Sequence, residues 1–177
     1  MKGTLLSALV GFVWFNNADG YDSGAISEYQ LKAAFLLRFA SFVEYPAAVF
    51  TSPDQPLILG VFGDVPLGAA LNEAAKGRAV NRRQIVIRLI SDPAALASCN
   101  IVFVPRTGMR GYIRVARELL ERNVLTVGET SDFIDRGGII NFVTHHGRLR
   151  FQVSVAAAEA HHLKVSSKLL QLAVGSF

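Results

Sequence analysis

Two carboxylates, Asp64 and Glu129, each stand just past an apolar run that reads as a β-strand, where open α/β sheets gather ligand sites. A carboxylate pair there could hold a cation or exchange protons with a substrate. No histidine or cysteine lies close in sequence to complete either chemistry. Asp64 also precedes Pro66 and is well placed to cap a helix beginning there, so structural roles are expected for both. The histidines come as His145-His146 and His161-His162. Adjacent side chains point apart on regular structure, so neither pair makes a two-ligand clamp; solvent-facing positions in a turn and at a helix end are expected. If charged, the later pair would suit a helix C-terminus. Gly60-Val61-Phe62-Gly63-Asp64 lacks the G-x-G-x-x-G order of a nucleotide loop, and the chain has no Walker lysine pattern. Ser166-Ser167 has no nucleophile elbow around it and reads as a cap for Lys168-Leu169-Leu170. No catalytic residue, cofactor or metal is expected.

The arginines offer binding chemistry instead. Arg110, Arg114 and Arg117 share one face of a helix, and Arg106 lies shortly before it, past a strand. Such a cluster could meet an acidic partner surface or a phosphate. With Glu118 and Glu121 beside it, the competing reading is an ordinary solvated face. Arg78, Arg82 and Arg83 form a second basic region in a loop. Tyr45, closing an aromatic helix that carries Phe35, Phe39 and Phe42, is a further candidate contact, since its ring is apolar and its hydroxyl polar. No aromatics interleave with the arginines as a nucleic-acid platform would require. The formal charge of +4, from 18 basic and 14 acidic residues, is likewise too mild for nucleic-acid binding.

The elements that must position these residues follow from periodicity. Ser27-Glu28-Tyr29-Gln30 reads as a capping box with Ile26 and Leu31 as a hydrophobic staple, and the helix it opens is expected to end at Pro46. Leu57 to Phe62 reads as a fully buried strand, and Pro66 opens a second helix. Strands follow at Ile85 to Ile90, Asn100 to Val104 and Val124 to Val127, with a helix from Arg110 to Arg122 between the last two. A helical turn around Ser131 to Asp135 stops at Gly137-Gly138. Then Ile139 to Val143 and Leu149 to Val155 flank a glycine-containing connection, the pattern of a hairpin. Strands separated by helical or mixed segments imply parallel crossovers. The fold class is therefore α/β: a three-layer sandwich with a mostly parallel central sheet and a C-terminal antiparallel hairpin at its edge. With 177 residues, 51% of them hydrophobic, the chain suits one domain that needs no staples. The lone Cys99, just before an apolar strand, is expected to be a small buried hydrophobe.

Lys2 followed by the apolar run Thr4 to Phe15 reads as a signal peptide over residues 1–25, too short to span a bilayer. A single domain over residues 26–177 remains, with no membrane insertion expected after processing.

The ordered pieces Glu129-Thr130-Ser131-Asp132-Phe133, Arg136-Gly137-Gly138-Ile139-Ile140-Asn141-Phe142, Gly147-Arg148-Leu149-Arg150-Phe151 and Leu163 to Leu170 resemble the YfiR family. Lys32-Ala33-Ala34-Phe35-Leu36, Phe39 to Pro46 and Gly60 to Asp64 agree with it. The resemblance runs from about Ile26 to Val174. It implies a periplasmic, non-catalytic repressor, a homodimer that restrains a membrane-bound diguanylate cyclase through its periplasmic portion. It further implies release by an outer-membrane lipoprotein, and hence control of cyclic-di-GMP and biofilm formation. The family's disulfides cannot be carried onto a chain with only Cys99. The alternative is a periplasmic small-molecule or anion-binding protein with no inhibitor role.

Overall fold

Ser27 opens the part of the computed structural model that is described, residues 27–176. Its Oγ accepts from the Gln30 N–H at 3.2 Å while Gln30 Oε1 accepts from the Ser27 N–H at 2.9 Å, the reciprocal cap expected from sequence. The signal peptide and Ile26 lie outside the described residues. In chain order the helices are α1 (Glu28–Phe42), α2 (Val65–Ala75), α3 (Met109–Glu121), α4 (Val155–Ala160) and α5 (Ser167–Leu170). The strands are β1 (Val43–Glu44), β2 (Leu57–Phe62), β3 (Ala79–Val80), β4 (Arg83–Ile90), β5 (Ile101–Val104), β6 (Leu125–Gly128), β7 (Ile140–His145), β8 (Arg148–Val153), β9 (Lys164–Val165) and β10 (Gly175–Ser176).

The main sheet runs β10-β8-β7-β6-β5-β2-β4-β3. Strands β4, β2, β5, β6 and β7 are mutually parallel. The hairpin strand β8 returns antiparallel to β7 through a two-residue turn, His146 and Gly147, both at positive φ. Apolar side chains leave the parallel strands on both faces, as crossovers on two sides demand. One face buries Leu59, Ile101, Phe103 and Val127 under α1 and α2; the other buries Val102, Val104 and Phe133 with Tyr112 and Leu119 of α3. The result is the expected three-layer α/β sandwich. Under α1, Phe39 meets Phe151 edge-on with ring centroids 4.9 Å apart.

Three local expectations are corrected. Helix α1 stops at Phe42, before Pro46, because the backbone turns extended at Val43 and β1 pairs with β9. Val155 does not continue the hairpin: Ser154 Oγ accepts from the Ala157 N–H at 3.1 Å and starts α4 there. The hairpin is not the sheet's edge either, since β10 pairs parallel to β8. The Ser131 to Asp135 segment is a run of turns, and Gly137 at φ +83° lets the chain reverse into β7.

Candidate functional site

The carboxyl ends of β2, β5 and β6 bring the strand-end residues to one rim of the sheet. The winding reverses between β2 and β5, where open α/β sheets usually leave a crevice. Here the Phe62 ring lies in its wall, and a cleft of about 380 Å³ remains, lined also by Ser91, Arg110 and Arg114. Gly108 and Gly111 make room for that ring: a Cβ on Gly111 would sit 2.7 Å from it and 2.9 Å from Pro93 Cγ. Asp64 turns back to α2, its Oδ1 accepting from the Leu67 N–H at 3.1 Å. The two carboxylates singled out by sequence are therefore separate, with Asp64 acting as a cap.

A second opening lies between β6 and β7. The two strands pair only at Val127 with Ile140 and Gly128 with Asn141, whereas β8 accompanies β7 through His145. Past Gly128 the chain departs, so no described strand pairs with the β6-facing edge of β7 from Phe142 to Thr144. Lys32, on the buried side of α1, reaches into this gap. Its Nζ lies 2.7 Å from Glu129 Oε2 and 2.6 Å from Glu28 Oε1, while Glu129 Oε1 accepts from the Arg106 N–H at 3.1 Å. Lys32 is 8% exposed. Burial pulls its pKa down, but hydrogen bonds and charge from Glu129 and Glu28 outweigh that and hold it above the usual lysine value. Above the ion pair is a cleft of about 500 Å³ whose lining includes Arg106, Ser131, Asn141 and Thr144. Asn141 is 1% exposed, and its Oδ1 has no hydrogen-bond partner among the described residues.

Residues 29–174 match the model of a family described as YfiR/HmsC-like. The chain belongs to the YfiR/HmsC-like family. A comparison with curated proteins found no match. Among solved structures, the chain is similar to a conserved domain protein of Vibrio cholerae O1 biovar eltor, at 11% identity and a TM-score of 0.58. That likeness covers 85% of this chain and 60% of the other, and it concerns the fold; this chain spans less than two thirds of that protein's length. The ABC domain in complex with L-Trp from Streptococcus pneumonia aligns at 10% identity over 68% of this chain and 55% of that one, with a TM-score of 0.49.

On this YfiR/HmsC-like domain, the arginines anticipated from sequence divide into separate places. Arg106 borders the β6–β7 cleft. Arg110 and Arg114 are exposed and line the cleft beside Phe62. Arg117, farther along α3, pairs with Glu121 at 3.3 Å in solvent. Tyr45 does not join them: its hydroxyl donates to the Asn100 carbonyl at 3.1 Å, at the opposite end of β5 from Arg106, and burial drives its pKa far upward. Arg83 is occupied as well, donating from Nη1 to the carbonyls of Ser52, Pro53 and Gln55 and stacking 3.9 Å over Phe50. His145 and His146 are exposed in the hairpin turn, as expected. His161 is not: it is 3% exposed with Nδ1 unpartnered, and burial lowers its pKa, so it does not present a charge to a helix end. Cys99 is buried and its thiol pushed up by burial.

Sequence reasoning missed Lys32 and Asn141. The available signal was local: each is a polar residue inside an apolar stretch, Lys32 on the inner face of an amphipathic helix and Asn141 within Ile139-Ile140-Asn141-Phe142-Val143. A polar side chain at such a position needs a partner. Among the described residues no helix is long and apolar enough to cross a membrane.

Proposed function

We propose that the protein is an exported, non-catalytic regulator that represses a membrane-bound diguanylate cyclase by binding its periplasmic portion. Membership of the YfiR/HmsC-like family across residues 29–174 carries this reading. In it the protein acts in the periplasm as a homodimer, an outer-membrane lipoprotein relieves the repression, and the outcome is control of cyclic-di-GMP and biofilm formation. The exposed Arg110 and Arg114, with Arg117 along α3, supply a cationic surface for an acidic patch on the partner. Steering of that kind weakens as salt rises.

Affinity capture from intact cells with the processed protein as bait tests the reading, alongside measurement of cyclic-di-GMP after gene deletion. Capture of a membrane cyclase and a rise in cyclic-di-GMP are the expected results. Absence of both would end the regulatory reading. A second reading, a periplasmic binder of a small molecule or anion without inhibitory action, is favoured by the β6–β7 cleft. Ligand binding combined with unchanged cyclic-di-GMP would select it.

A further inference from the structure

We infer that the cleft between β6 and β7 is a binding site for a small uncharged polyhydroxyl ligand, a polyol or monosaccharide, held between Asn141, Lys32 and the open edge of β7. The inference goes beyond the regulatory reading and stands without it. Three observations converge. The cleft, at about 500 Å³, lies within the size range of small-molecule sites. Asn141 lines it, almost fully buried, with an amide oxygen that no described residue satisfies. A buried acceptor left alone in a native fold calls for an explanation, and an incoming donor is the direct one. The backbone along Phe142 to Thr144 adds polar groups unpaired by any described strand.

Charge selects the class of ligand. The charged side chains that line the cleft are Lys32 and Arg106 against Glu28 and Glu129, so the wall as a whole carries no net charge. A charged ligand would therefore meet no net counter-charge there to offset its desolvation. A hydroxyl needs none, and it both donates and accepts. It can donate to Asn141 Oδ1 and accept from the third N–H of the Lys32 ammonium, whose other two face carboxylates. The broad χ2 torsion of asparagine lets the shielded oxygen rotate toward such a group. Ser131 and Thr144, both exposed at the rim, extend the same chemistry outward.

The test is calorimetry and thermal melting of the purified full chain with D-glucose, D-galactose and myo-inositol, against citrate and glycine betaine as charged probes. At least one neutral probe is expected to bind saturably. Asn141→Leu should weaken it by about tenfold, the worth of one hydrogen bond, while the ligand-free variant melts no lower than the parent because the orphan acceptor is gone. Thr144→Val, at an exposed position, should also weaken binding and serves if Asn141→Leu fails to fold. The inference is overturned if no neutral probe binds, if only the charged probes bind, or if binding is unchanged in the variants. A melting shift that rises linearly with sugar and is equal in parent and variants is osmolyte exclusion, and overturns it too. None of these readouts involves a cyclase, so failure here leaves the regulatory reading standing, and the reverse.

Discussion

The rim of the sheet has two openings built in opposite ways. Between β2 and β5, the usual ligand crevice of such folds is narrowed by one aromatic ring seated on two glycines, and Arg110 and Arg114 line the cleft that remains. Between β6 and β7, one strand parting early from its neighbour leaves a cleft, and a buried lysine with its two carboxylates lines it. The first place is made of packing with charge added on the surface; the second is made of polar groups that the fold must hold away from water. The difference shows that topology offers a site without deciding its depth. Residue size at Phe62, Gly108 and Gly111 decides that at the first, and strand length decides it at the second.

The sharpest way to break the comparison is to remove the ring that narrows the first opening. Phe62 is 8% exposed, and Phe62→Ala should cost about 3 kcal/mol in urea unfolding through lost burial and the cavity left behind. A cost under 1 kcal/mol would show that the ring is not seated as described. Next is the open cleft. Lys32→Met leaves the Glu129 carboxylate without its cation, and Glu129's side chain is 22% exposed. The loss should be roughly 1 to 3 kcal/mol, below that of a fully buried pair. Removing both charges in Lys32→Met/Glu129→Leu should recover most of it. Glu28 is 69% exposed on the same lysine, so Glu28→Gln should cost under about 1 kcal/mol.

How far each opening could be read from sequence follows from the range of the contacts that make it. Ser27 with Gln30, Asp64 with its helix and the His146-Gly147 turn depend on near neighbours, and they stand where residue type placed them. The fold class was legible for the same reason, since apolar periodicity is local. Lys32 and Glu129 are 97 positions apart, and no periodicity links them. Pro46 looked like the end of α1 because its stop signal is local, whereas the actual stop accompanies a pairing with β9 far along the chain. Tyr45 and Arg106 could be named as contacts, but only the fold shows them at opposite ends of β5.

Acidity separates these rim features from the far end of the sheet. Lys32, held above its usual value, keeps its charge through the neutral range. His161, beside Leu119 and Val124, does not belong to either opening, and desolvation by burial lowers its pKa, with repulsion from His162 adding to that. The folded value then lies below the ordinary 6.5, so the unfolded chain binds more protons as pH falls past that point. The sign follows: His161's share of stability is present above about pH 6.5 and is lost as pH drops toward the folded value. Urea midpoints at pH 8 and pH 5.5 should differ in the parent, with the lower pH less stable. His161→Leu should narrow the difference, and an equal difference in both proteins would assign the pH response elsewhere.

The smallest expected change in stability falls on the arginines that line the first opening. Arg110 and Arg114 are exposed and form no ion pair among the described residues. Arg110→Glu/Arg114→Glu should therefore shift unfolding by no more than about 0.5 kcal/mol. Their charge is available to a partner, because nothing in the described fold consumes it. The same variant should slow association with an acidic partner surface, and the parent's association rate should fall as salt rises while the variant's does not. Loss of folding stability with unchanged association would reverse the assignment and make this face structural. Unchanged stability with slower, salt-insensitive association would separate the rim's two tasks: Phe62 packs on the glycines and holds the fold, and the arginines beside it stand free to bind.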